Sequence, residues 1–279
     1  MGDPVSLAGR GAVVTGAGHG IGAALARRLA SEGVRVVVND LDAAAAQRVA
    51  DEIGGTAAPG DCAGEEGVRA LLETATAALG RIDLYFANAG IDSVGDGFTG
   101  DGEMLDSLAT SDAAWQQMHE VNVMAHVRAA RALVPGWLAD GGGRFVVTAS
   151  AAGLLTMLGA APYSTTKHAA VAFAEWLSAT YGHRGVVVQA ICPQGVATRM
   201  YEESGPLKVL LSRDAVLTPD DVASAWVDSL TDDRFLVLPH PEVGDYYRAR
   251  AGANEKWLAG MRRLQAHLDA QLDQKQEKQ

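Results

Sequence analysis

Cysteine is scarce in this chain. Cys62 and Cys192 are its two, far apart and in apolar settings. They offer no disulfide framework and no zinc-ligand spacing, and they fit a reducing, cytoplasmic setting. Positive charge is also short: 23 Lys and Arg face 34 Asp and Glu, a net charge of -11. So acidic a chain, with no Lys/Arg cluster, has no general attraction to DNA or RNA. No apolar run is long enough to cross a bilayer. The opening MGDPVSLAGR lacks the apolar core of a signal peptide. Asp3 and Pro4 speak against reading Gly2 and Ser6 as a myristoylation signal. Only 20% of residues are charged while 48% are apolar, which excludes disorder over most of the length. What remains is a 279-residue chain suited to one large α/β domain or two small ones.

Short β-branched runs alternate with alanine-rich segments. AVVTG (12–16), VRVVVND (34–40), IDLYFAN (82–88), GRFVVTAS (143–150), GVVVQAIC (185–192) and RFLVLP (234–239) read as strands, with a weaker one in GTAAPGD (55–61). Unbroken valine runs suit strands covered on both faces, as in a parallel sheet. Helical patterns lie between them, over 21–33, 42–55 and 218–230. The last opens with Thr218 as a cap and Pro219 at the first helical position. The β-α order predicts a single doubly wound Rossmann domain over residues 1–240. Its seven-stranded sheet is mostly parallel, with helices on both faces. Residues 91–110 and 201–217 read as a long flexible connection and an irregular stretch, both beyond carboxyl ends of strands, where α/β ligands bind. A helical extension over 241–270 follows. Its Trp257, Met261, Leu264 and Leu268 form one narrow apolar stripe that packs on the domain or on a neighbouring subunit. The polar tail 271–279 is expected to fray.

The turn VVTGAGHGIG (13–22) ends the first strand and opens the first helix. Gly16, Gly18, Gly20 and Gly22 permit close backbone approach, and the helix starting near Gly20 offers free N–H groups to a pyrophosphate. Asp40 ends the second strand. A carboxylate there accepts hydrogen bonds from an adenosine ribose and repels a 2′-phosphate. Two like charges about 4 Å apart in a partly screened site cost on the order of 4 kcal/mol. Leu41 follows, where a basic residue would have helped a phosphate. Asp40 therefore predicts NAD over NADP, with His19 as the one ambiguous group in the turn.

Together these residues resemble the short-chain dehydrogenases/reductases over roughly residues 5–240. The family's glycine turn is Thr15 to Gly22, its N-N-A-G segment is ANAG (Ala87 to Gly90), and its helix asparagine is Asn122. Its serine is Ser150, and its Y-x-x-x-K is Tyr163 to Lys167 in APYSTTKHAA. The acid that often contacts adenine matches Asp61, with Cys62 beside it. There are two departures. Ala87 replaces the first Asn of N-N-A-G. In CPQGVATRM (192–200), Pro193 and Thr198 hold their places, but Gln194 stands where glycine is usual and Gly195 follows. Either Gln194 alters the pocket wall or the turn shifts by one residue.

The resemblance implies a hydride exchanged between an alcohol carbon and nicotinamide, with a proton leaving or joining the oxygen. A free tyrosine ionises near pH 10, and bringing it near 7 favours phenolate by about 4 kcal/mol. Lys167 and the positive nicotinamide ring are expected to supply that. Residues four apart share a helix face, so Tyr163 and Lys167 can both face the cofactor. The resemblance then makes Tyr163 the general acid/base and has Lys167 bond the nicotinamide ribose. Ser150 orients the substrate oxygen, and Asn122 holds a water linking Lys167 to solvent. It places Gly16, His19, Gly20, Ile21, Asp40, Leu41, Asp61, Cys62, Asn88, Gly90, Pro193, Val196 and Thr198 around the NAD. No metal is expected: His119 and His126 lie seven apart without partners and read as packing or surface residues. No G-x-S-x-G elbow marks a serine hydrolase. The implied function is an NAD(H)-dependent dehydrogenase of an apolar, hydroxysteroid-like or cyclic secondary alcohol, with AAGLLTMLGAA (151–161) and Met200 in the pocket. The alternatives are a non-catalytic NAD-binding sensor and an epimerase or dehydratase on the same scaffold. A homotetramer is expected, a homodimer second.

Overall fold

Each valine-rich run forms a strand: β1 Gly11–Val14, β2 Arg35–Val38, β3 Thr56–Ala57, β4 Leu84–Ala87, β5 Gly143–Thr148, β6 Val186–Ile191 and β7 Leu236–Val237. The computed structural model describes residues 6–92, 107–204 and 208–276. The strands form one sheet in the order β3-β2-β1-β4-β5-β6-β7. Every pairing is parallel. In β1 the side chains alternate between two cores: Val13 joins Tyr85 and Phe145 on one face, while Ala12 and Val14 join Phe86 and Trp226 on the other. A Val run suits this sheet because neither face meets water.

The strands end one or two residues earlier than the sequence predicts, β3 four residues earlier. Asn39 and Asp40 lie beyond β2, Asn88 lies beyond β4, and Ser150 lies two residues beyond β5. These positions leave the sheet and turn their groups to other partners, which is where a ligand site needs them.

The helices are α1 Gly20–Ser31, α2 Ala43–Ile53, α3 Glu65–Leu79, α4 Asp112–His119, α5 Ala125–Ala139, α6 Ala161–Tyr181, α7 Arg199–Glu202, α8 Lys208–Leu211, α9 Pro219–Asp228, α10 Glu242–Gly252 and α11 Asn254–Gln276. Local chemistry sets several boundaries. Asp42 caps α2 by accepting from Ala45 N–H, and Gly54 stops it at φ 65°. Thr218 and Asp221 form a reciprocal capping box on α9. On the far face Trp226 from α9 packs edge-on against Phe86 at 4.8 Å and donates to Gln189 Oε1 at 3.0 Å. Burying such a ring stabilises by several kcal/mol, and Trp226→Ala would cost about 3–5 kcal/mol.

Two expectations need adjustment. The stretch 201–217 contains the end of α7 and all of α8 and so is not wholly irregular. Helix α11 also runs on to Gln276, through residues expected to fray. Residues 93–106, within the expected long connection, and residues 205–207 lie outside the described residues.

The chain steps from β1 outward to β2 and β3, then returns to β4 on the other side of β1. That reversal opens a crevice at the carboxyl ends of β1 and β4, the usual ligand position of an open α/β sheet.

Candidate active site

The crevice is a cavity of about 590 Å³. At one end lies the glycine turn. Thr15, 2% exposed, organises it: its Oγ1 donates to Phe86 O at 3.1 Å and accepts from the N–H groups of Asn88 and Ala89, each at 3.0 Å. Asn88 Nδ2 donates back to Thr15 O at 2.9 Å, so Ala87 leaves this exchange intact. A Cβ at Gly22 would stand 2.3 Å from Gly16 O, so only glycine lets α1 start against the turn. His19 precedes α1 without a side-chain cap, and the first turn carries no acid. Its N–H groups are free for an anion, which fits the pyrophosphate of a dinucleotide.

Asp40 closes the turn from β2. Its Oδ2 accepts from Gly18 N–H at 2.9 Å and its Oδ1 from Asp42 N–H at 3.0 Å. Leu41 beside it is exposed, and His19 Nε2 lies 3.3 Å from Asp42 Oδ2 in solvent. Asp61 holds its own turn, accepting from Ala63 N–H at 2.8 Å and Gly64 N–H at 3.4 Å. Burial, with the Asp61 charge, pushes the Cys62 thiol up to about 12, so it stays protonated. These groups surround a slot in which the Asp40 carboxylate stands beside the uncapped start of α1.

The other end holds the reactive side chains. Tyr163 and Lys167 project one turn apart from α6, and Lys167 Nζ stands 5.6 Å from the Tyr163 ring centroid. Lys167 Nζ donates to Thr148 O at 2.9 Å. A Cβ on Gly90 would lie 3.1 Å from Lys167 Nζ and 3.2 Å from Asn122 Oδ1, so the glycine makes room for both. Ser150 begins a single turn, Ala151–Gly153, and its Oγ accepts from Ala152 N–H at 3.0 Å. Its own N–H is held by the Cys192 sulfur.

Tyr163 departs from expectation in its acidity. Burial dominates and raises the phenol to about 12, while a hydrogen bond with Ser150 pulls the other way. The expected lowering toward neutrality does not come from the protein's own groups. Lys167 is itself lowered to about 8, chiefly by burial.

Asn122 does not line the cavity. It sits behind it, fully buried, in a π-helical turn Glu120–Met124 between α4 and α5. Its Nδ2 donates to Ile91 O at 2.8 Å and Thr166 Oγ1 at 3.1 Å, and its Oδ1 accepts from Ile91 N–H at 2.9 Å. The side chain is thus committed to fixing the chain after Gly90 against α6. His126, one turn on, is buried and held neutral, with burial lowering it to about 3. His119 is exposed.

The segment after β6 forms the third wall. Pro193 O accepts from Ala151 N–H at 2.7 Å, tying it to the Ser150 turn. A Cβ at Gly195 would meet Leu211 O at 2.2 Å, so the packing requires glycine at 195 and leaves 194 free to carry a side chain. Gln194 itself borders the cavity. Val196 bridges to Leu217, and Thr198 caps α7 through Tyr201 N–H at 3.3 Å while its methyl faces Gly20.

Gly16, His19, Gly20, Ile21, Asp40, Leu41, Asp61, Cys62, Asn88, Gly90, Ser150, Tyr163, Lys167, Pro193, Val196 and Thr198 all border the one cavity. Sequence reasoning missed the Thr148 carbonyl and His240. The first is backbone and has no side-chain signal. The second lies 46 positions from Gln194, whose N–H it accepts at 3.1 Å, and nothing local marks that pairing.

The sequence profile described as short chain dehydrogenase matches residues 10–207. Cyclohexanol dehydrogenase from Acinetobacter sp. (strain SE19) is 34% identical over 242 residues, covering 84% of this chain and 92% of that one. The 1-deoxy-11-beta-hydroxypentalenate dehydrogenase of Streptomyces exfoliatus is 35% identical over 241 residues, covering 84% of each. A solved structure of a short chain dehydrogenase/reductase from Burkholderia phymatum, in complex with NAD, superposes with a TM-score of 0.79. It is 28% identical, over 90% of this chain and 96% of that one. With the glycine turn, Ser150, Tyr163 and Lys167 around one cavity, the chain belongs to the short-chain dehydrogenase family.

Proposed function

We propose that this protein interconverts a secondary alcohol and a ketone, with Tyr163 as the proton-transfer group and an apolar, cyclic alcohol as substrate. The cofactor is NAD(H), as the NAD complex of the Burkholderia phymatum relative supports. The carrying observation is the shared cavity: Ser150 and Tyr163 hydrogen-bond to each other at one end, and Asp40 and the uncapped start of α1 lie at the other.

NAD supplies the hydride acceptor when bound, and its positive ring adds a charge that favours phenolate. The protein's own residues do the rest. The α1 N–H groups would hold the pyrophosphate, and Asp40 would accept from the adenosine ribose and disfavour a 2′-phosphate. Ser150 Oγ fixes the substrate oxygen beside Tyr163 Oη. In oxidation Tyr163 takes the hydroxyl proton, and in reduction it returns one to the carbonyl oxygen. Lys167 would hold the nicotinamide ribose and adds positive charge beside the Tyr163 ring. Asn122 fixes the chain after Gly90, against which Lys167 lies.

The substrate end is walled by Met118, Met157, Pro162, Met200 and Leu211, which favours an apolar body on the alcohol. The names of the cyclohexanol and hydroxypentalenate relatives support cyclic alcohols. A panel of cyclic and open-chain secondary alcohols with NAD, read by NADH formation, tests both parts. Cyclic alcohols should give the higher kcat/KM. Binding of NAD without turnover of any alcohol would instead favour a sensor.

A further inference from the structure

Helix α10 touches both walls of the substrate end from outside the cavity. Val243 seats it, fully buried in the same core as Phe145 and Val188. Tyr246 and Arg250 follow at i+3 and i+7, on the same face and four residues apart. They reach different walls.

One wall is the segment after Ser150. The Arg250 guanidinium donates to Leu154 O, and its Nη1 also lies 2.9 Å from His168 Nε2. His168 Nδ1–H donates to Ser164 O at 2.8 Å, so Nε2 is the acceptor for Arg250. Ser164 Oγ in turn accepts from the N–H of Met157, a cavity residue, at 2.9 Å. Arg250 thereby joins the Met157 wall to α6, which carries Tyr163.

The other wall is built from residues 194–204 and 208–217, which contribute Met200, Tyr201 and Leu211 to the cavity. Tyr246 Oη donates to the Asp214 carboxylate at 3.2 Å, and the Arg213 guanidinium lies 5.6 Å from its ring centroid. Just before α10, His240 is 2% exposed and uses both ring nitrogens on this wall. Its Nε2–H donates to Ala215 O at 3.0 Å and its Nδ1 accepts from Gln194 N–H at 3.1 Å. His240 therefore pins both parts of this wall to the start of α10.

We propose that α10 is an intramolecular clamp across the substrate mouth, with Tyr246, Arg250 and His240 as positioning residues that set the spacing of its walls and so the size of alcohol admitted. The consequence for alcohol size rests on the dehydrogenase reading; the clamp itself does not.

The test uses the full chain carrying Tyr246→Phe, Arg250→Met, both together, and Arg250→Lys. Hydrogen exchange, which needs no substrate, should speed up at Met157 and Gln194 in the double variant, by about fivefold for each hydrogen bond removed from a wall. Amides of β5 should keep their wild-type rates. In turnover, KM for a bulky cyclic alcohol should rise by about the same factor while the Kd for NAD stays constant, and Arg250→Lys should recover part of the loss. Unchanged exchange at both walls overturns the clamp. So does exchange that speeds equally in β5, or a KM for alcohol that moves only in step with the Kd for NAD. Absence of turnover by the wild-type protein would sink the dehydrogenase reading instead, and the exchange result would still decide the clamp.

Discussion

Burial holds the Tyr163 phenol near 12, while a base for alcohol oxidation works best near the pH of the medium. The residue's motif told of its role and its neighbour on α6, but acidity depends on desolvation, a property of the folded site that spacing does not carry. Lys167 makes the same point with a testable sign. Its value in the fold, about 8, lies below the ordinary 10.5. Between those values the unfolded chain binds the extra proton, so stability rises with pH across that window. Below 8 the penalty is fully present, on the order of 3 kcal/mol. Lys167→Met should therefore lose turnover without losing Tm at pH 7; a Tm lowered by many degrees would contradict this. Asp40 governs cofactor choice by charge. Asp40→Asn keeps an acceptor for Gly18 N–H and removes the charge. It should raise kcat/KM with NADP relative to NAD by about tenfold or more. An unchanged ratio would assign the selectivity elsewhere, Arg48 included, whose Nη2 donates to Gly18 O at 3.1 Å.

At the scale of elements, the turn after β4 and the π-helical turn meet behind the reactive groups. Gly90 sits between Lys167 and Asn122 with no room for a methyl unless one of them shifts. Gly90→Ala should lower kcat by on the order of tenfold, because displacing Lys167 disturbs a positioned site. Turnover at the wild-type rate would show that Lys167 moves freely. Much of this layer was legible in the sequence. The cap at Thr218 marked a helix start because it is local chemistry. The π-helical turn at Asn122 was not legible. Its apolar spacing still looks helical, and the extra residue that redirects Asn122 toward Ile91 is accommodated only by packing against α6. Weak β3 was marked faintly by GTAAPGD and is two residues long, held by β2.

For the whole molecule, a single doubly wound, mostly parallel sheet was legible in the βα alternation and the right-handed crossover rule, whereas its strand order was not. Nor was the position of the C-terminal extension, because contacts such as Arg250 with Leu154 join residues 96 positions apart. Assembly is a further property at this scale. Trp176 on α6 is 54% exposed and stacks on Phe173 at 6.1 Å and edge-on to Tyr181 at 6.0 Å, an aromatic patch suited to a subunit contact. Light scattering should give a homotetramer for the wild-type chain and a smaller species for Trp176→Glu, whereas a monomeric wild type would contradict the expectation. The most direct test of the central claim is NADH formation from a cyclic secondary alcohol by the wild-type protein and by Tyr163→Phe, with NAD affinity measured in parallel. NADH should form with the wild type, and kcat should fall at least about a hundredfold in the variant while NAD still binds. Equal rates in the two proteins, or no NADH from any alcohol offered, would contradict it.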